Sequence, residues 1–189
     1  YIAVDLVNEN PRIWNLVIYD DQGNVINKTF TSRLINITVN VSDPDPLRGI
    51  DYVEGNFTWP NGTMDYRNLS SALDQPFTHF WNYTVVYYMP PGNASIRVIV
   101  SDKDGGLNET STTLEILETV EIILEDEPID FQEARPGEEV NATSGRGWPL
   151  KVFSRSNVPV NISQNGTNLV GVVNPSSFID VQRILWGLE

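Results

Sequence analysis

Apolar and polar residues alternate one for one through Leu34–Ser42, where Ile35, Ile37, Val39 and Val41 interleave with Asn36, Thr38, Asn40 and Ser42. A strand sends successive side chains to opposite faces, so a period of two builds a segment with one dry face and one wet face. The pattern recurs in short runs bounded by Asn, Asp, Gly or Pro, and no stretch sustains the i, i+3, i+4, i+7 apolar spacing of an amphipathic helix. The chain therefore reads as all-β. Strands are expected at Ile13–Tyr19, Leu34–Ser42, Tyr52–Trp59, Asn82–Met89, Ile96–Ser101 and Ser111–Leu117, with a short one after the hairpin-type dipeptide Asn61-Gly62. Asn68–His79 reads as a loop with room for a short helix near Ser70–Leu73. Six or seven strands at this spacing suit an immunoglobulin-like sandwich.

From Val120 onward the runs predict strands at Val120–Leu124, Ile129–Gln132, Glu139–Ala142, Leu150–Ser154, Val158–Ile162 and Leu169–Val173, with turns at Pro136-Gly137 and Gly145–Gly147. The expected organisation is two tandem immunoglobulin-like β-sandwich domains, residues 1–118 and a smaller 119–189. The junction at Glu118–Thr119 carries no Pro- or Gly-rich linker, so the last strand of one domain runs into the next and the pair is stiff.

Charge and cysteine usage exclude several functions. The net charge is −13 over 189 residues, with a pI near 4.3 and no cluster of Lys or Arg. Such a chain repels the phosphates that a nucleic-acid binder has to neutralise, and it repels an anionic membrane surface. The same acidity favours divalent cations and keeps a crowded protein soluble. Without cysteine there is no disulfide, thiolate catalysis or Cys-ligated zinc. That absence speaks against a eukaryotic secreted domain more than for a cytosolic one. No apolar run approaches the length of a membrane-spanning helix, so no direct membrane insertion is expected. No signal peptide is visible at Tyr1; for an exported protein, the signal and any anchor are expected outside this sequence or already removed.

Asn-X-Ser/Thr, with X other than Pro, marks an acceptor for an N-linked glycan. Twelve are present, at Asn27, Asn36, Asn40, Asn56, Asn61, Asn68, Asn82, Asn93, Asn108, Asn141, Asn161 and Asn165. With 19 Asn and 26 Ser plus Thr in the chain, random placement gives about 2.6 such tripeptides. A general enrichment of Asn and Thr in turns and on exposed strands would raise both residues without fixing their spacing at two. Strand phase agrees. Asn36 and Asn40 fall on the wet face opposite the aliphatic set, Asn56 and Thr58 oppose Phe57 and Trp59, and Asn161 alternates with Val160 and Ile162.

Two acidic loops are candidates for a cation. Asp43-Pro-Asp45 follows one strand and Asp102-Lys-Asp104-Gly105-Gly106 another running the same way, so Asp43, Asp45, Asp102 and Asp104 are expected at one end of the sandwich. Four carboxylates there suit Ca2+, which takes six to eight oxygen ligands; the alternative is plain turn chemistry, since no twelve-residue EF-hand loop is present. Asp20-Asp21, before Gln22-Gly23-Asn24, reads as a hairpin turn at the opposite end. His79 is the single histidine, which rules out a multi-histidine metal site, and it reads as a packed or exposed loop residue. No phosphate loop or zinc-binding helix motif occurs, and no catalytic residue is assigned. Phe77, Phe80, Trp81, Tyr83, Tyr87 and Tyr88 form an aromatic group, read as core plus covered loop, or else as rings for stacking on sugars. Tyr1–Val7 alternates as a first strand, or as a donor strand for a neighbouring subunit, and the apolar Phe178–Leu188 is expected to pack on the second domain or lead to a further module.

Asn40-Val-Ser-Asp-Pro-Asp, Pro90-Pro-Gly-Asn and Val98-Ile-Val-Ser-Asp-Lys-Asp-Gly resemble polycystic-kidney-disease-like and cadherin-like sandwiches, common in archaeal surface proteins. Ile129-Asp-Phe, Ala134-Arg-Pro-Gly-Glu, Leu150-Lys-Val and Asn157-Val-Pro-Val-Asn-Ile are similar to modules repeated in archaeal S-layer-like and adhesin-like proteins. The aromatic-rich Asn68–Tyr83 insertion departs from the polycystic-kidney-disease-like pattern. The resemblance implies an extracellular, cell-surface location and a structural or adhesive role, with modules in series. The expectation is thus a non-enzymatic module of an N-glycosylated surface protein, an S-layer-like lattice or stalk. Its partners would be neighbouring modules or copies of itself, its attachments N-linked glycans, and Ca2+ its one conceivable cofactor. The alternatives are a filament or pilus subunit assembled by strand exchange, and a carbohydrate-binding or adhesive module.

Overall fold

Nine strands from the first two thirds of the chain pair into two sheets. They are β1 (Arg12–Asp20), β2 (Lys28–Thr29), β3 (Leu34–Ser42), β4 (Ile50–Thr58), β5 (Met64–Asn68), β6 (Ser70–Ala72), β7 (Gln75–Thr84), β8 (Gly92–Asp102) and β9 (Leu107–Ile116). The computed structural model describes residues 8–44, 49–72, 75–124, 152–161, 169–170 and 178–179, among which there is no helix. One sheet has the order β1-β3-β7-β6 and the other β2-β9-β8-β4-β5; every neighbouring pair is antiparallel except the parallel β2–β9. This four-on-five arrangement is an immunoglobulin-like β-sandwich.

The alternation in the sequence is what fills the space between the sheets. Ile35, Ile37, Val39 and Val41 of β3 and Ile96, Val98 and Val100 of β8 are all buried, while the residues between them stay half-buried or exposed. At the centre, Phe57 of β4 stacks on Tyr83 of β7 with ring centroids 4.3 Å apart, and the Trp81 ring meets both edge-on. Gly55 is the one inward position of β4 without a side chain. A Cβ built there would lie 2.8 Å from Leu69 Cδ1 and 3.0 Å from Trp81 Cε3, so the glycine leaves the volume the indole occupies.

Three hairpin loops share one construction. In Asp20–Asn24, Trp59–Thr63 and Asp102–Gly106 the first residue's N–H donates to the carbonyl of the fifth, and the fourth donates back to the first. The fourth residue is Gly23, Gly62 or Gly105, with φ of +82°, +86° and +86°. Only glycine enters this left-handed region freely, which fixes where each hairpin turns.

Several expectations shift. Most described residues of Asn68–His79 are strand rather than loop. Leu69, whose N–H donates to Val53 O, carries the chain from the edge of one sheet to the edge of the other; β6 follows, and β7 begins at Gln75. The strand expected at Asn82–Met89 ends at Thr84. In place of the helix entertained near Ser70–Leu73, Ser70–Ala72 is a strand, its Ser70 and Ser71 paired with Phe80 and His79. His79 is accordingly a strand residue on the core side, in phase with Trp81 and Tyr83.

The chain divides into two compact units, Tyr1–Pro159 and Val160–Glu189. Within the first, Ile122–Leu124 (β10) pairs with Val152–Ser154 (β11). The anticipated boundary at Glu118–Thr119 falls inside this unit. There the Asn157 side chain donates to Leu117 O (3.0 Å) and accepts from Thr119 N (2.7 Å), as a facing strand would. In the second unit Leu169–Val170 (β12) pairs with Phe178–Ile179 (β13). Residues 158–161 form no strand. Tyr1–Val7, Ile129–Gln132 and Glu139–Ala142 lie outside the described residues.

Filling the space over Gly55 tests the central packing. Gly55→Ala is expected to lower the stability of the sandwich by about 1–3 kcal/mol through overpacking against Trp81 and Leu69. In urea unfolding the midpoint should fall with an unchanged slope; an unmoved midpoint would mean that the indole is not held.

Candidate functional site

Ten of the twelve acceptor asparagines are described; Asn141 and Asn165 lie outside the described residues. None of the ten is buried. Asn27, Asn61, Asn68, Asn82, Asn93, Asn108 and Asn161 are exposed, and Asn36, Asn40 and Asn56 are half-buried between neighbouring strands. Asn36, Asn40 and Asn82 share the outer face of the four-stranded sheet, in phase opposite to the buried residues of β3 and β7. Asn56 and Asn93 stand on the outer face of the other sheet, opposite Tyr66 and Glu115. Asn108 departs from this rule. It keeps the inward phase of Leu114 and Ile116, emerges at the end of β9, and its Nδ2 donates to Pro11 O at 2.9 Å.

The residues that lead into β4 lie beside the Asp102 loop. Ile50, at the start of β4, pairs with Asp102, and Lys103 N–H donates to Gly49 O at 3.3 Å. Asp45 lies outside the described residues. Among the described residues no three His, Asp or Glu side chains gather into a group that could hold a metal. Asp102 is 1% exposed, and its carboxylate is engaged within its own surroundings. Oδ1 accepts from the N–H groups of Asp104 (2.9 Å) and Gly106 (2.8 Å), and Oδ2 from Asn8 Nδ2 (3.1 Å). Asp20 does the same in its hairpin, accepting from the N–H groups of Gln22 (2.9 Å) and Asn24 (2.8 Å). Burial by itself would push the Asp102 carboxyl up; donors from Gly106, Asp104, Asn8 and Gly105 outweigh it and hold the acid below the usual aspartate value. A Cβ on Gly106 would collide with the Asp102 carboxylate, so glycine there closes the loop over the acid.

The aromatic group divides. Trp81 and Tyr83 belong to the core, Phe80 is half-buried, and Phe77, Tyr87 and Tyr88 are exposed. The Tyr87 and Tyr88 rings stand at 87° to each other, so they offer no flat platform. Beside them an open cleft of about 410 Å3 runs between β5 and the end of β7, lined by Trp59, Asp65, Tyr66, Arg67, Tyr83 and Tyr88 among others. In it the Tyr83 hydroxyl donates to Asp65 Oδ2 (2.6 Å), and Trp59 Nε1 is shared between that oxygen (2.9 Å) and the Tyr83 oxygen (3.0 Å). Burial, then the Asp65 hydrogen bond and charge, push the Tyr83 phenol above its ordinary value. Sequence reasoning missed Asp65 and its bonds to Tyr83 and Trp59, because Met64–Asn68 shows little alternation and only pairing with β4 brings Asp65 beside Trp59.

His79 points into the sandwich with its Nδ1 buried and without a hydrogen-bond partner among the described residues. Burial pulls its pKa below the usual histidine value.

The chain is thus an all-β protein of the immunoglobulin-like sandwich class. No protein-family model and no curated protein matches its sequence. Solved structures with similar strand arrangements include the PKD1 domain of Vibrio anguillarum Epp, at 17% identity over 58% of this chain and 96% of that one, with a TM-score of 0.34. The superoxide reductase (neelaredoxin) from Ignicoccus hospitalis is similar at 12% identity over 58% of this chain and 82% of its own, with a TM-score of 0.39. The Pseudomonas fluorescens alkylpurine DNA glycosylase AlkC, bound to DNA containing an abasic site analog, matches at 13% identity and a TM-score of 0.42 over 57% of this chain; this chain covers 30% of it. Likeness of this degree transfers no ligand and no reaction. It does correct one expectation. Two of these three neighbours are enzymes, so a sandwich of this build is no ground for calling the chain non-enzymatic.

Two titrations probe these buried groups. Because Asp102 is a stronger acid folded than unfolded, the stability it supplies is complete above the ordinary aspartate range and is lost as pH falls through its folded value. Asp102→Asn should therefore melt below wild type at neutral pH, with the gap closing in acid; a constant gap would mean that the charge is irrelevant. His79, the single histidine, takes its proton more readily in the unfolded chain. Its contribution is complete above the ordinary histidine value and declines as pH falls below it. His79→Phe should flatten the fall in urea midpoint between about pH 7 and pH 5, and an unaltered profile would exclude this histidine as its source.

Proposed function

We propose that the chain is a structural module of an N-glycosylated extracellular surface protein, part of an S-layer-like lattice or a stalk. Its neighbours would be further modules or copies of the same protein. The observation that carries this reading is the set of acceptors: twelve in 189 residues, with all ten described ones outside the core. A glycan is large and hydrated and has no place between packed sheets, so a folded module carries it only at such positions. The net charge of −13 works in the same direction, keeping closely spaced copies hydrated and apart.

A second reading, a sugar-binding adhesive module, is favoured by the cleft beside β5. Exposed Tyr66 and Tyr88 flank the Asp65 carboxylate there, and aromatic faces next to polar groups suit a sugar ring.

Intact mass and glycopeptide mapping of the protein from its native host tests the first reading. Sugar is expected on a majority of the twelve acceptors, with Asn108 among the least occupied because its amide is tied to Pro11. Bare asparagine at every position would sink the proposal.

A further inference from the structure

We infer that Asn36 and Asn82 act as one modification site, holding a single N-linked glycan that is carried by Asn82. This rests on the glycoprotein reading above and sharpens it to two residues that the sequence places 46 positions apart.

The two acceptors are direct partners across β3 and β7. Both side chains rise from the outer face, and β-carbons of directly opposed residues in an antiparallel pair stand about 4.5–5.5 Å apart. Asn36 Nδ2 donates to Asn82 Oδ1 at 2.6 Å. Two bulky, hydrated sugars leaving neighbouring amides in the same direction would compete for one volume, and the inter-strand bond would have to yield.

The surroundings decide which asparagine carries the sugar. Asn36 lies in an interior strand of its sheet, with Tyr19 of β1 on one side and Asn82 on the other, and is half-buried. Both ends of its amide are engaged, since Thr38 Oγ1 donates to its Oδ1 at 2.6 Å. That hydroxyl belongs to the acceptor tripeptide of Asn36 itself. Asn82 is exposed. The pairing of β6 with β7 stops at Phe80, so the far side of Asn82 is an open sheet edge that borders the cleft. Its Oδ1 accepts from Asn36, and its Nδ2, the atom that bonds the sugar, makes no hydrogen bond among the described residues. Asn36 supports the amide that Asn82 presents. The exclusion holds for either order of events: sugar added to the finished sheet meets the neighbour already there, and a chain modified at both positions beforehand could not close β3 against β7.

Glycopeptide occupancy in protein from the native host tests this, measured for wild type and for Thr84→Ala. The variant removes the acceptor hydroxyl of Asn82 and leaves both asparagines in place. In wild type Asn82 should be filled and Asn36 nearly bare, with the two occupancies summing to no more than one glycan per chain. In Thr84→Ala the Asn36 occupancy should rise several-fold. High occupancy of both in wild type overturns the inference, as does an Asn36 that stays bare in the variant. Sugar at other acceptors but at neither of these overturns it while leaving the surface-glycoprotein reading intact. No sugar anywhere removes both.

Discussion

A strand of this sandwich has two faces, and only one of them can be dry. Everything else in the first unit follows from matching the dry faces of two sheets. Ile35, Ile37, Val39 and Val41 share one buried cluster with Ile96, Val98 and Val100, and the aromatic set Phe57, Trp81 and Tyr83 packs ring on ring within it. A slip of one residue in β3 would turn its apolar set outward and bring Asn36 and Asn40 in. Gly55 shows how closely the fit is drawn, since even a methyl group there would press on the indole.

The outer faces inherit whatever the core does not use. On the four-stranded sheet that remainder includes Asn, Thr and Ser beside Val17, Tyr19 and Phe80, with Asn36 bonded to Asn82 and Thr78 to Asn40 across strands. Pairing brings into contact residues far apart in sequence, so two acceptor tripeptides become neighbours only once the sheet has formed. The open edge past Phe80 arises in the same way. The strand leaving β5 changes sheets at Leu69 and covers only the first part of β7, which leaves room for Trp59, Asp65 and Tyr83 to gather beside solvent.

The acidic loops illustrate how one sequence signal serves two purposes. Asp-X-Asp-Gly at the end of a strand looks like oxygen ligation, and the start of β4 does lie beside the Asp102 loop. Yet Asp102 directs its oxygens at Asp104, Gly106 and Asn8, as Asp20 directs its own at the residues of a simple hairpin. A short carboxylate can satisfy the N–H groups of a tight turn, and that use is indistinguishable from metal binding when only residue types are known.

The sequence by itself determined the class of fold, most strands of the sandwich and the outward position of Asn36, Asn40 and Asn56. Those properties follow from local rules: period two sorts side chains between faces, and Gly23, Gly62 and Gly105 set the turns. It did not determine that Ser70–Ala72 and Gln75–His79 are strand. In isolation that stretch reads as a loop, and His79 gains its place only because β7 has β3 on one side and β6 on the other. Nor did it determine the cleft at Asp65, the engagement of Asp102, or the pairing of Asn36 with Asn82. Each depends on which strand lies beside which, and that is settled by burying the two apolar faces together, a condition on the whole domain that no short stretch of sequence contains.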